Sequence, residues 1–270
     1  MVQVAVAQFA PGKDKAENQR SVAELVARAA STGAEVVLLP EYTMFTASRT
    51  DHRYVEAAEP LDGPFLSAAA DTARREGVHL VLGINESRGE GASRFTNTLV
   101  ALSSEGERVA HYRKIHLYDA FGVKESEVVA PGPIEEPETF TVDGVVFGLQ
   151  TCYDLRFPEV TRRIADAGAH VVLLAAQWVP GPLKEDHWRT LARARAIENT
   201  VYVAASGQSA PTGAGNSMVI DPMGTALASL GEQTFEVATA GVSAERVEAV
   251  RVTNPALAMR RFSVSSSGEV

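Results

Sequence analysis

Val145-Val146-Phe147-Gly148-Leu149-Gln150-Thr151 runs straight into Cys152-Tyr153-Asp154-Leu155-Arg156-Phe157-Pro158-Glu159. The first seven residues read as a short core strand, and the rest as a polar turn leading to a helix. Two other segments share the character of that strand. Val36-Val37-Leu38-Leu39 ends at Pro40-Glu41, and His170-Val171-Val172-Leu173-Leu174-Ala175 leads to Gln177-Trp178. Strands that are apolar at every position are buried on both faces. Helices come between some strands and hairpins join others. A mixed sheet, or two packed sheets with helices outside, fits this α/β pattern.

Working outward, residues 2–8 predict a strand and 16–32 an amphipathic helix closed by Gly33. A helix over 63–76, a strand over 78–84 and a hairpin of 95–102 with 107–113 follow. The segment 115–138 is turn-rich and long for a compact fold, which marks it as functional. Paired strands near 139–150 precede a helix over 156–167 and the strand 170–175. A helix over 184–199 and a strand over 201–205 come next. Strands flanking the Asp221-Pro222-Met223-Gly224 turn, a strand near 234–240 and a helix near 243–250 complete the chain before an irregular tail. With no linker-like shift in composition, one domain over 1–270 is expected.

The 270 residues are 45% hydrophobic and 22% charged, with a net charge of −9, which argues against a nucleic-acid partner. A single cysteine excludes an internal disulfide framework and any multi-cysteine metal site. The six histidines show no metal-binding spacing, so neither metal nor cofactor is expected. The N-terminus alternates like a strand rather than a signal peptide, and no apolar run approaches membrane-spanning length. A cytoplasmic protein without membrane contacts is expected.

Cys152 leaves a buried strand for a turn, a position from which a thiol can face a cleft beside the next backbone N–H. Glu41 and Lys114 also sit just beyond predicted strands. Side chains at equivalent strand ends should converge on one edge of a sheet. Their chemistry is complementary. Glu41 could take the thiol proton and return it to a leaving amine. Lys114 could face the oxyanion, helped by the Tyr153 N–H. His116 and His187 are alternative partners for the cysteine. Asp154 and Arg156, which flank the turn, could pair to hold it. Trp178 could line the acyl pocket or simply pack.

Pro40-Glu41, Tyr112-Arg113-Lys114-Ile115-His116-Leu117 and Cys152-Tyr153-Asp154-Leu155-Arg156-Phe157-Pro158-Glu159 resemble the three signature segments of the nitrilase superfamily of carbon–nitrogen hydrolases. The likeness continues through His187-Trp188-Arg189, Arg193–Asn199 and Ser217–Gly224. It implies a four-layer α-β-β-α sandwich, with Glu41 as general base, Lys114 and nucleophilic Cys152. A second glutamate is implied ahead of Pro131-Gly132, with Glu125 the candidate and Glu127 the weaker one. The implied substrate is a small carboxylate-bearing amide, as in deaminated glutathione amidases and omega-amidases. Asn216 and Met223 stand where those enzymes usually carry His and Trp, a departure that bears on the substrate. The implied assembly is a homodimer or larger, pairing through 156–167 and the C-terminal tail. Rival expectations are nitrile hydrolysis, N-carbamoyl amine hydrolysis, and an idle scaffold or thiol sensor.

Overall fold

The computed structural model describes residues 1–265. Its elements run β1 (Val2–Gln8), α1 (Lys15–Ser31), β2 (Val36–Leu38), α2 (His52–Ala57), α3 (Pro64–Glu76), β3 (His79–Glu86), β4 (Phe95–Leu102) and β5 (Arg108–Arg113). They continue with β6 (Val129–Ala130), β7 (Thr139–Val142), β8 (Val145–Thr151), α4 (Pro158–Asp166), β9 (Val171–Ala176) and α5 (Lys184–Asn199). The last are β10 (Tyr202–Gly207), β11 (Met218–Ile220), β12 (Ala226–Ser229), β13 (Glu236–Val242) and α6 (Ala244–Thr253).

Two mixed sheets result. The first has the order β13-β1-β2-β3-β4-β5, with β6 paired to β4, and the second β12-β11-β10-β9-β8-β7. Each has a parallel centre, β1-β2-β3 or β8-β9-β10, and antiparallel flanks. Alternation along the strands builds three apolar layers. Val4, Val6, Leu38, Leu173 and Ala175 fill the space between the sheets. Ala5, Ala7, Val37 and Leu80 face Val22, Leu25 and Val26 of α1 and Ala69 of α3. Val172, Leu174 and Val203 face Ile164 of α4 and Trp188 and Ala192 of α5. This is the helix–sheet–sheet–helix sandwich expected from the sequence, with the central strands covered on both faces.

Local chemistry sets the helix ends. Asp14 caps α1 by accepting from the N–H groups of Ala16 and Glu17, and Gly77 ends α3 at φ 67°. The helix expected over 156–167 begins later. Cys152–Arg156 forms a 3-10 turn and α4 starts at Pro158. Proline favours the first helical turn but drives the residue before it extended, and Phe157 has φ −110° and ψ 95°. The short elements α2 and β6 carry too few residues to show a period.

Candidate active site

Register brings the first half of the site together. In the first sheet Gly83 pairs with Leu99, and Thr98 with Arg113. Lys114, one residue beyond β5, donates its N–H to the Asn97 carbonyl at 2.9 Å. The chain leaving β2 passes so close to β3 that a Cβ on Gly83 would lie 2.6 Å from the Tyr42 nitrogen and 2.8 Å from Glu41 Cα. Only glycine admits that approach. Gly132 acts alike behind Lys114, where a Cβ would lie 2.2 Å from the Arg113 carbonyl oxygen.

Glu41 and Lys114 thus come from the first sheet, whereas Cys152 follows β8 of the second. The three strand ends meet across the sandwich, not along one sheet edge as the sequence suggested. Glu41, Lys114, Glu125 and Cys152 line a single cavity of about 650 Å³. The turns delivering Glu41 and Cys152 both enter the left-handed region, with φ 55° at Tyr42 and 44° at Cys152. Non-glycine residues held there store roughly 1–3 kcal/mol each and cluster at functional sites.

Lys114 is buried and held by two carboxylates. Its Nζ lies 3.0 Å from Glu41 Oε1, and 2.9 and 2.8 Å from the two oxygens of Glu125. Burial opposes its charge, but Glu125 and Glu41 outweigh that, and the ammonium is held well above the ordinary lysine range. Glu125 also accepts from the Tyr42 hydroxyl at 2.6 Å and the Tyr118 N–H at 2.5 Å. Glu127 is exposed at the cavity mouth. Of the two glutamates considered, it is Glu125 that meets Lys114.

Glu41 Oε1 accepts from Asn97 Nδ2 at 2.7 Å, and Oε2 from the Gln177 N–H at 2.5 Å. Gln208 Nε2 donates to the Glu41 carbonyl at 2.8 Å and so fixes the backbone. Burial, and then the Glu41 charge, push the Cys152 thiol well above its usual range, while Lys114 pulls the other way. The resting sulfur is therefore a thiol beside a carboxylate.

Neither histidine competes for it. His116 Nδ1 lies 2.8 Å from Asp154 Oδ1, and its ring stacks on Phe157 at 3.7 Å. The His187 Nδ1 is buried without a partner among the described residues, and His187 is outside the cavity lining. The pairing of Asp154 with Arg156 is not found. Asp154 accepts from the Tyr112 hydroxyl at 2.8 Å and the His116 N–H at 3.0 Å. Arg156 instead faces the cavity with its guanidinium 4.8 Å from the centre of the Trp178 ring. Its Nε and Nη2 are shut off from solvent and have no hydrogen-bond partner among the described residues.

Tyr153 and Trp178 both line the cavity, and Trp178 also packs 5.3 Å from Trp188. Asn216 and Met223 lie away from it. Asn216 Oδ1 accepts from Arg189, and Met223 is 56% exposed. Sequence reasoning missed Asn97, Tyr42, Gln177 and Gln208. Asn97, in the polar Thr96-Asn97-Thr98 run that precedes the apolar half of strand 95–102, was the one available signal.

Residues 3–252 match the family model for carbon-nitrogen hydrolase. The chain belongs to the carbon-nitrogen hydrolase family. It is 40% identical over 262 residues to the deaminated glutathione amidase of Escherichia coli O157:H7, an alignment covering 96% of this chain and 97% of that one. The NitFhit protein of C. elegans has the same fold, with a TM-score of 0.87 and 29% identity over 96% of this chain and 65% of that one. An amidase from Nesterenkonia sp. AN1 aligns with a TM-score of 0.80 and 25% identity, covering 96% and 94%. In that structure the acetamide moiety of fluoroacetamide is bonded to the active-site cysteine. The present chain is thus a nitrilase-superfamily amidase that resembles the deaminated glutathione amidases. No helix among the described residues is long and apolar enough to cross a membrane.

Proposed function

We propose that the protein hydrolyses the C–N bond of a small carboxylate-bearing amide through a thioester on Cys152. The observation that carries this is the contact set around Lys114, which ties Glu41 and Glu125 into the cavity that Cys152 lines. Glu41 takes the thiol proton as sulfur attacks the amide carbon. Lys114 and the Tyr153 N–H face the oxygen as it gains charge; loss of one such donor typically costs on the order of a hundredfold or more in rate. Glu41 then returns the proton to the departing ammonia or amine. Water, deprotonated by Glu41, cleaves the thioester in the same way. Glu125 holds Lys114 in place and keeps it charged.

Arg156 supports the carboxylate on the substrate. A guanidinium in the cavity wall, backed by Trp178 and paired with no carboxylate among the described residues, suits a substrate carboxylate. With Tyr153 it forms the substrate-facing wall of the cavity. A reducing cytoplasm would keep the lone thiol active. One domain over 1–270, paired as a homodimer through 156–167 and the C-terminal tail, completes the proposal; residues 266–270 of that tail lie outside the described residues.

The test is ammonia or amine release from amide, nitrile and N-carbamoyl panels, with mass measurement of the Cys152 adduct. Amides with a carboxylate should turn over and leave an acyl adduct absent from Cys152→Ala. Turnover of nitriles alone, or activity in Cys152→Ala near that of the parent enzyme, would overturn the proposal.

A further inference from the structure

Lys184 is a second cation in the cavity wall, and the proposed chemistry leaves it unused. It opens α5, and its backbone carbonyl accepts from Trp178 Nε1 at 2.7 Å, which fixes where the side chain starts. The residue is only 8% exposed yet lines the cavity beside Cys152. Its Nζ donates to the Tyr118 hydroxyl at 2.7 Å and lies 4.9 Å from the Tyr118 ring centre and 5.1 Å from that of Phe121. Among the described residues no carboxylate lies within ion-pair distance of Lys184 or of Arg156. A buried ammonium held by a neutral hydroxyl and two rings is electrostatically incomplete.

Arg156 lies 5.9 Å from the same Phe121 ring, so both cations gather around one aromatic side chain. Phe121 is 70% exposed and held at φ 55°. The deeper groups, Glu41, Glu125 and Lys114, already neutralise one another in part. The two wall cations do not. We propose that Lys184, with Tyr118 and Phe121 around it, is a second anion subsite next to Arg156, so that the enzyme selects amides carrying two carboxylates over those carrying one. This rests on the amide-hydrolase proposal but concerns binding, and it can be read without turnover.

The experiment measures protection of Cys152 from iodoacetamide, by mass spectrometry, in the full-length enzyme. The probes are the dicarboxylates from malonate to adipate and monocarboxylates of matching length. In the parent enzyme at least one dicarboxylate should protect at a concentration roughly ten- to a hundredfold below that of its monocarboxylate. Lys184→Met should erase that advantage while leaving monocarboxylate protection in place. Lys184→Arg should restore much of it. Unchanged circular dichroism and melting of both variants exclude unfolding as the cause. A parent enzyme with no dicarboxylate preference, or a preference that survives in Lys184→Met, would overturn the subsite. Failure of all amide turnover, by contrast, would strike the reaction and not this binding claim.

Discussion

Replacing Glu41 by Gln separates two effects that one carboxylate combines. As a base, Glu41 accelerates turnover; as a charge, it holds the Cys152 thiol protonated. A carboxylate about 4 Å from a thiolate, at an effective dielectric near 20, opposes it by about 4 kcal/mol, equivalent to roughly three pH units. Relaxation of the pocket reduces this, and a fall of about one to three pH units in the thiol titration is expected. The sign is fixed. Losing the negative neighbour leaves Lys114 facing the sulfur, so the thiolate appears at lower pH than in the parent enzyme. Catalysis moves the other way, with a loss of roughly a hundred- to ten-thousandfold in amide turnover. The amide also fits the site poorly. Oε1 serves Lys114 and Asn97 while Oε2 serves the Gln177 N–H, so an NH2 group meets a donor whichever way it turns. That costs about 1–3 kcal/mol of stability. Iodoacetamide alkylation followed against pH, alongside ammonia release and urea unfolding, reads all three quantities. An alkylation midpoint that stays put or rises, or turnover within tenfold of the parent enzyme, would refute the assignment of Glu41.

Lys114→Met strands two buried carboxylates and should lower urea stability by about 3–5 kcal/mol, with no measurable turnover; a loss below about 1 kcal/mol would mean the pair is solvated. Gly83→Ala should destabilise by about 1–3 kcal/mol and cut kcat, because the new methyl displaces the Glu41 backbone; unchanged kcat would show that the approach of the two chains can relax. Arg156→Leu should raise KM for carboxylate-bearing amides roughly ten- to a hundredfold while sparing neutral amides such as propionamide, and equal effects on both would remove its role.

The parts of the fold legible in the sequence are those where one physical demand dominates. Val36–Leu39 and Val171–Ala175 are apolar throughout because sheet and helix layers cover both faces, and that pattern needs no partner to be seen. The turn after Cys152 was legible, but the start of α4 was placed two residues early, and only Pro158 marks it. At the site, residue type and strand-end position picked out Glu41, Lys114 and Cys152, and the family resemblance added Glu125. The contacts that fix them were out of sight. Asn97 reaches Glu41 only because β4 lies in the register that puts Thr98 opposite Arg113. Asp154 and Arg156 look like a pair because they are two residues apart, yet the 3-10 turn sends one to Tyr112 and His116 and the other to Trp178.

The same geometry explains why a carboxylate rather than a histidine serves the sulfur. At rest the buried groups carry two negative charges on Glu41 and Glu125, one positive charge on Lys114 and a neutral thiol. Passing the thiol proton to Glu41 turns that carboxylate neutral and the sulfur negative, so an existing charge moves, no new ion forms, and Lys114 faces one mobile negative charge throughout. Among buried groups, making two new ions is more costly than moving one existing charge. A neutral imidazole in place of Glu41 would have to become a cation beside Lys114, two like charges with only Glu125 and the thiolate to balance them. The bonds from Glu125 to Lys114, Tyr42 and Tyr118 leave that second carboxylate fully engaged. Substituting His for Glu41 should therefore fail to restore turnover at any pH where Lys114 stays charged, even though histidine is the commoner partner of a catalytic cysteine. Recovery of amide hydrolysis in Glu41→His to within tenfold of the parent enzyme would refute the avoidance of charge separation beside Lys114 as the reason for the carboxylate.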